Sequence, residues 1–196
     1  PRLEVQPVAA DFTQPFDVPP APAHRRTLVL FPGSTIGNFE PGEARTFLTG
    51  LRSLAGPPGM LLLGADSTRD PARLARAYDD EHGVTAAFDK NVLAHLNRTR
   101  GATFDLEAFD HRAVWNPEAS RVEMQLVSRT RQIVRVDGAL FVLAAGEAIV
   151  TEHCYKHTPE ALQMLLGVAG WRPRQVFTAT QVPYRLWLCE ATGRAR

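Results

Sequence analysis

The sequence predicts an α/β fold, an open sheet interrupted by a smaller inserted α+β subdomain, on three observations. Residues 27–63 read as strand, loop, helix, strand, with both strands apolar throughout, which is the βαβ grammar of an open parallel α/β sheet. Between Val114 and Tyr155 the hydrophobic period falls to two, the mark of antiparallel strands. Beyond Lys156 a helical stripe and two further strands resume the first pattern. The division this implies is 1–67 with 156–196 for the open sheet, and 68–155 for the subdomain.

Leu3 to Val8 is short, apolar and alternating, so it reads as a strand closed by turn residues at Asp11, Phe12 and Thr13. The proline-rich segment Pro15 to His24 is an irregular connection. Thr27 to Phe31 is a continuous apolar run, as expected of a strand covered on both faces. A helix follows from Pro41, with Ala44, Phe47, Leu48, Leu51 and Ala55 on one face, and Gly56-Pro57-Pro58-Gly59 ends it. Met60 to Leu63 is a buried strand that runs out at Gly64-Ala65-Asp66.

Asp70-Pro71 is an N-cap followed by proline at the first helical position, with Leu74, Ala77 and Tyr78 on one side. A second helix spans about Thr85 to Asn97, its apolar face read as Val84, Phe88, Val92, Leu93 and Leu96. "RVEMQLV", "QIVRV", "ALFVL" and "AIVTEHCY" read as four strands of an antiparallel meander, with Asp137-Gly138 a hairpin turn. Thr158-Pro159 opens a helix striped by Leu162, Leu165, Leu166 and Ala169 and stopped by Gly170. "RQVFTA" and "YRLWLCEA" close the sheet.

Composition narrows the function. Twenty-two basic and twenty-one acidic residues give a net charge of +1, with no basic run of the kind that binds nucleic acid or membrane, so the expected partner is a small molecule. Two cysteines are too few for a secreted disulfide framework. No apolar run suits a membrane span and no signal peptide opens the chain, so the cytoplasm is the expected location. The chain starts at Pro1, without an initiator methionine, which suggests a missing N-terminal part.

Two motifs carry the chemistry. "PGSTIGN", residues 32–38, lies at the carboxyl edge of a strand, where α/β sheets bind ligands. Its glycines either merely turn the chain or allow a ligand close to the backbone, and Asn38 is either a turn residue or a donor and acceptor for that ligand. Gly-Lys-Ser/Thr is absent, so this is no P-loop, and Ser34 does not sit in a Gly-x-Ser-x-Gly elbow. In "TEHCYKH", residues 151–157, alternation puts Glu152 and Cys154 on one face and His153 and Tyr155 on the other, which splits any metal-ligand set. Glu152 is either a solvated edge residue or a buried carboxylate facing a cationic or hydrogen-bonding ligand. His111 and the other connection histidines read as surface residues.

"FPGSTIGNFEPGEA", "DPARLARAYDDEHGVTAAFDKNVLAHLNR", "RVEMQL" and "TEHCYKHT", in this order, resemble the histidine-specific, S-adenosylmethionine-dependent Nα-methyltransferases of ergothioneine biosynthesis over nearly the whole chain. The resemblance implies a Rossmann-like class I methyltransferase sheet with an inserted substrate-binding subdomain, S-adenosylmethionine as methyl donor, no metal, and L-histidine as the substrate. It implies that Asn38 and Tyr78 hold the amino acid's carboxylate, with Gly33 and Thr35 near its amino group. Met124 would line the pocket, Glu152 and Cys154 would read the imidazole, and Asp11 and Phe12 would lie at the adenine end of the donor. The family has serine where this chain has Cys154. It also places the glycine-rich donor loop, its strand and helix, an acidic residue for the ribose and a pocket tyrosine before residue 1. The expected sheet is therefore incomplete, with its first strands missing, and activity is expected of a longer protein, monomeric when full length. The same reaction on another amino acid, or a non-catalytic amino-acid-binding fragment, are the alternatives.

Overall fold

The computed structural model describes residues 4–14, 16–18 and 26–193. Leu28–Phe31 (β1), Pro41–Ala55 (α1) and Met60–Asp66 (β2) form the expected βαβ unit, with β1 and β2 parallel and Leu28 opposite Met60. Tyr184–Ala191 (β9) pairs antiparallel with β2 and Trp171–Thr178 (β8) antiparallel with β9, so the sheet order is β1-β2-β9-β8 and the sheet is mixed. β8 begins earlier than "RQVFTA" because its register shifts between Pro173 and Gln175, which accommodates a residue lacking an N–H.

Helix α1 starts at Pro41 behind a capping box in which Glu40 and Glu43 satisfy each other's backbone amides. Thr158 caps Pro159–Val168 (α4) by accepting from the Ala161 amide at 3.2 Å. The inner residues of α1 and α4 share one core with Leu61, Leu63, Trp171, Trp187 and Cys189. Trp171 donates its indole N–H to the Leu48 carbonyl at 2.9 Å, which ties β8 to α1.

Two expectations for this sheet fail. Of the expected strand Leu3 to Val8, Leu3 lies outside the described residues, and Glu4 to Val8 are exposed and, among the described residues, pair with no strand. The Pro15 to His24 connection also lies mostly outside the described residues. β1 is covered on one face alone: Val29 and Phe31 pack against the core, whereas Leu28 and Leu30 on the other face stay 50% and 62% exposed.

The middle of the chain builds a second layer. Phe109–Asn116 (β3), Arg121–Ser128 (β4) and Ala148–Tyr155 (β7) form an antiparallel sheet in the order β3-β4-β7. Among the described residues, Gln132–Val136 (β5) and Ala139–Leu143 (β6) pair only with each other. The expected four-strand meander is thus a three-stranded sheet, with β3 unforeseen, plus a separate hairpin turning at Asp137 and Gly138, both at positive φ.

Pro71–Tyr78 (α2) and Val84–Thr99 (α3) cover one face of that sheet. Asp70 caps α2 by accepting from the Ala72 amide at 2.9 Å. On α3 the buried face is not the one expected. Leu93 is buried and Leu96 half-buried, but Val84, Phe88 and Val92 are exposed, while Asp89 points inward because His111 awaits it there.

The shared core predicts an unequal response along α4. Leu166→Ala should cost about 2–5 kcal/mol in urea unfolding, as cavity-forming substitutions do. Met164→Ala, on the exposed side of the same helix, should stay within about 0.5 kcal/mol.

Candidate functional site

The two cores meet where the loop after β1 touches β7. Gly33 takes φ +86 and Ser34 φ +61, the left-handed region, and turn the chain into a 3₁₀ turn over Thr35–Asn38. Gly33 donates its amide to the Tyr184 hydroxyl at 3.0 Å. Gly37 is buried against β7: a Cβ there would lie 2.6 Å from the Tyr155 carbonyl oxygen and 3.2 Å from Cys154 Sγ. The glycine at 37 is therefore a condition of contact between turn and strand.

On β7 a bulge sets which residues face inward. Met124 lies opposite Glu152 but Gln125 lies opposite Val150, so Thr151 is the extra residue, and its hydroxyl donates to the Met124 carbonyl at 3.1 Å. Ile149 packs on the core under α3, Glu152, three residues on, lies near Asp89 of α3, and Cys154 joins the cluster under α2. Met124 and Cys154 are buried and Glu152 is half-buried. Burial pushes the Glu152 carboxyl up, and the nearby Asp89 charge adds to the effect.

Tyr78, at the end of α2, donates its hydroxyl to Cys154 Sγ at 2.9 Å. Burial pushes this phenol up to about 12. Its carbonyl meets His111 Nε2 at 2.8 Å, and His111 Nδ1 meets Asp89 Oδ2 at 2.8 Å, both side chains being 1% exposed. Both ring nitrogens thus have a polar partner within hydrogen-bond distance, one on α3 and one at the end of α2. His111 is thus a buried structural residue rather than a surface one. Asp89 Oδ1 has no hydrogen-bond partner among the described residues.

The other face of β7 makes a separate network. Glu40, the cap of α1, bonds His153 Nδ1 at 2.8 Å and accepts from the Tyr155 hydroxyl at 2.6 Å, and Arg121 donates to that hydroxyl at 2.9 Å. The Tyr155 and His153 hydrogen bonds hold the Glu40 carboxyl below its ordinary range.

Among the expected site residues, Tyr78 and Cys154 touch each other, Met124 and Glu152 are cross-strand neighbours, and Gly33, Thr35 and Asn38 share the turn that abuts β7. Asp11 and Phe12 stand apart from that cluster. The Asp11 carboxylate accepts from Thr13 twice, at 2.9 and 2.7 Å, and the Phe12 ring lies 6.0 Å from Phe31 and 6.1 Å from Phe47. Phe12, Asn38, Phe39 and Phe47 line a groove of about 1010 Å³ along α1. Sequence reasoning missed Lys156, which lies two residues beyond Cys154 on the inward side, so the alternation that linked Glu152 to Cys154 was the signal for it.

Among the described residues no helix is long and apolar enough to cross a membrane, and no group of three or more His, Cys, Asp or Glu is placed to hold a metal ion. A family model described as "Histidine-specific methyltransferase, SAM-dependent" matches residues 1–191. The chain is 45% identical over 181 residues to the histidine N-alpha-methyltransferase of Mycolicibacterium smegmatis, covering 91% of this chain and 56% of the relative. It is 30% identical over 135 residues to the ergothioneine biosynthesis protein 1 of Neurospora crassa, covering 62% of this chain and 15% of that one. It is 30% identical over 164 residues to a 4-dimethylallyltryptophan N-methyltransferase of Penicillium roqueforti, covering 79% and 48%. The chain spans about half the length of the mycobacterial relative.

Three outcomes follow from this geometry. Gly37→Ala should destabilise the fold by about 1–3 kcal/mol through forced separation of turn and strand, read by denaturant unfolding. His111→Leu should cost about 3–5 kcal/mol, because Asp89 is left buried and unpaired, and adding Asp89→Asn should recover part of the loss. Because the Glu152 carboxyl is raised in the fold, the native state loses stability as pH rises from the ordinary glutamate range through the raised value. Glu152→Gln should therefore raise the melting temperature at pH 7 and lose that advantage below pH about 4.

Proposed function

This chain belongs to the family of histidine-specific, S-adenosylmethionine-dependent methyltransferases, and we propose that it carries the amino-acid site of an enzyme that methylates the α-nitrogen of L-histidine. The product is the trimethylated betaine hercynine, in ergothioneine biosynthesis. One observation carries the reading. The glycine turn at 33–38, Tyr78 of α2 and the Glu152–Cys154 stretch of β7, from three separate parts of the chain, come together around Cys154.

In this reading residues 68–155 are an inserted substrate-binding subdomain on a Rossmann-like methyltransferase sheet. Asn38 and the Tyr78 hydroxyl hold the carboxylate, and Gly33 and Thr35 lie near the amino group. Met124 packs against the substrate, while Glu152 and Cys154 meet the two imidazole nitrogens. A side chain without those nitrogens leaves the half-buried carboxylate and the thiol unpaired, which is how such a pocket rejects it. The carboxylate competes with Cys154 for the single proton of the Tyr78 hydroxyl.

S-adenosylmethionine, when bound, supplies an electrophilic methyl group. The aromatic lining of the groove beside Asn38 offers a surface on which a flat aromatic ring stacks, so Phe12, with Asp11 next to it in sequence, would hold its adenine end. The remaining task of these residues is orientation of the neutral amine, since a positioned nitrogen needs no stronger activation. Two free buried cysteines suit a reducing compartment, and we place the protein in the cytoplasm, monomeric when full length.

A second reading is the same transfer to a different amino acid. It is favoured by the tryptophan-derivative methyltransferase among the relatives and by a thiol at 154, a weaker hydrogen-bonding group than a hydroxyl. Labelled S-adenosylmethionine with a panel of histidine, its methylated forms and tryptophan separates the two. The expected result is label in histidine products alone, falling about 10–100-fold in Glu152→Ala. Label on tryptophan supports the second reading. No label on any amino acid, with the chain alone or with the N-terminal region of its mycobacterial relative supplied, contradicts both.

A further inference from the structure

Lys156 is a charged side chain buried to 2% exposure just past the end of β7, behind the residues proposed to touch the substrate. An ammonium is among the most strongly hydrated groups a protein has, so one taken out of water must find its three donors' worth of partners inside. Lys156 finds three. Its Nζ lies 3.0 Å from Asp66 Oδ2, 2.7 Å from the Tyr78 hydroxyl and 3.4 Å from Cys154 Sγ. It also stands 4.8 Å from the centre of the Tyr78 ring.

We propose that Lys156 is a positioning residue of the amino-acid pocket: its ammonium fixes the Tyr78 hydroxyl and the Cys154 thiol against Asp66. The proposal rests on the reading that Tyr78 and Cys154 contact the substrate. Asp66 is itself held rigidly, its amide donating to Ser34 Oγ at 2.9 Å and its Oδ1 accepting from the Thr68 amide at 2.9 Å. Three elements, the end of β2, the end of α2 and the end of β7, are thus joined through one cation. His111 anchors the Tyr78 backbone from the other side, so the tyrosine is held at both ends.

The arrangement also sets polarity. Lys156 only donates, so it occupies a lone pair of the Tyr78 oxygen and leaves the hydroxyl proton to face Cys154. Whatever displaces the thiol there meets a donor, and that suits a carboxylate. Burial alone would push the Lys156 ammonium down, but the sulfur and oxygen groups around it outweigh burial and hold it up, so it stays charged while doing this.

The test uses the chain labelled with ¹³Cζ-tyrosine, with Lys156→Met, Tyr78→Phe and the double variant. In Lys156→Met the Tyr78 resonance should shift and broaden while those of Tyr155 and Tyr184 stay in place. Histidine affinity, by calorimetry, should fall about tenfold, with no further fall when Tyr78→Phe is already present. An unmoved Tyr78 resonance, or an equal loss of affinity with and without the Tyr78 hydroxyl, overturns the proposal. If Lys156→Met does not fold, Asp66→Asn, which removes the counter-ion and keeps the lysine, is read by the same two measurements. If the parent chain takes up no amino acid, the pocket reading fails by itself, and the Tyr78 resonance still decides whether Lys156 positions it.

Discussion

A buried ammonium joins the two halves of this molecule, and much of the site depends on it. Lys156 meets Asp66 from the α/β sheet, Tyr78 from α2 and Cys154 beside it on β7. Such a charge is tolerated only where every N–H finds a partner, so the three partners are constrained as tightly as the lysine. Gly37 supplies the complementary constraint. Its missing side chain lets the turn after β1 lie on the β7 backbone beside Cys154.

The same economy of partners separates the polar groups by role. Asp89 and His111 are wholly buried and face each other, and His111 spends its second nitrogen on the Tyr78 carbonyl. Glu152, half-buried, has no such partner among the described residues, and burial together with Asp89 pushes its carboxyl up. A carboxyl in that state is a costly feature for stability and a useful one for recognising a group with N–H donors. On the opposite face of β7, Glu40 ties His153 and Tyr155 to the start of α1, which steadies the strand.

Much of this was legible in the sequence, and the failures have physical reasons. Helix starts were readable because Asp70 and Thr158 are caps followed by proline, and the turn at 137–138 because Asp-Gly suits positive φ. The buried side of α3 was not. Val84, Phe88 and Val92 form a stripe as regular as the inner one, and only the tertiary pairing of Asp89 with His111 decides which side is inside. Strand β3 was hidden because Asp110, His111 and Arg112 break its apolar alternation, and one of them is polar on the inner face. The bulge at Thr151 left no trace in period-two counting, although Glu152 and Cys154 were still paired correctly. Glu4 to Val8 show the converse, in which alternation without a partner strand among the described residues gives no strand.

Binding of the amino acid at the seam between the two cores is tested most directly by amide ¹H–¹⁵N spectra of the chain titrated with L-histidine. The largest shifts are expected at 33–38, Tyr78, Met124 and 152–156, with the far end of α1 and the β5–β6 hairpin undisturbed. Shifts centred on the hairpin or along the outer groove of α1, or no saturable shift at all, would contradict it.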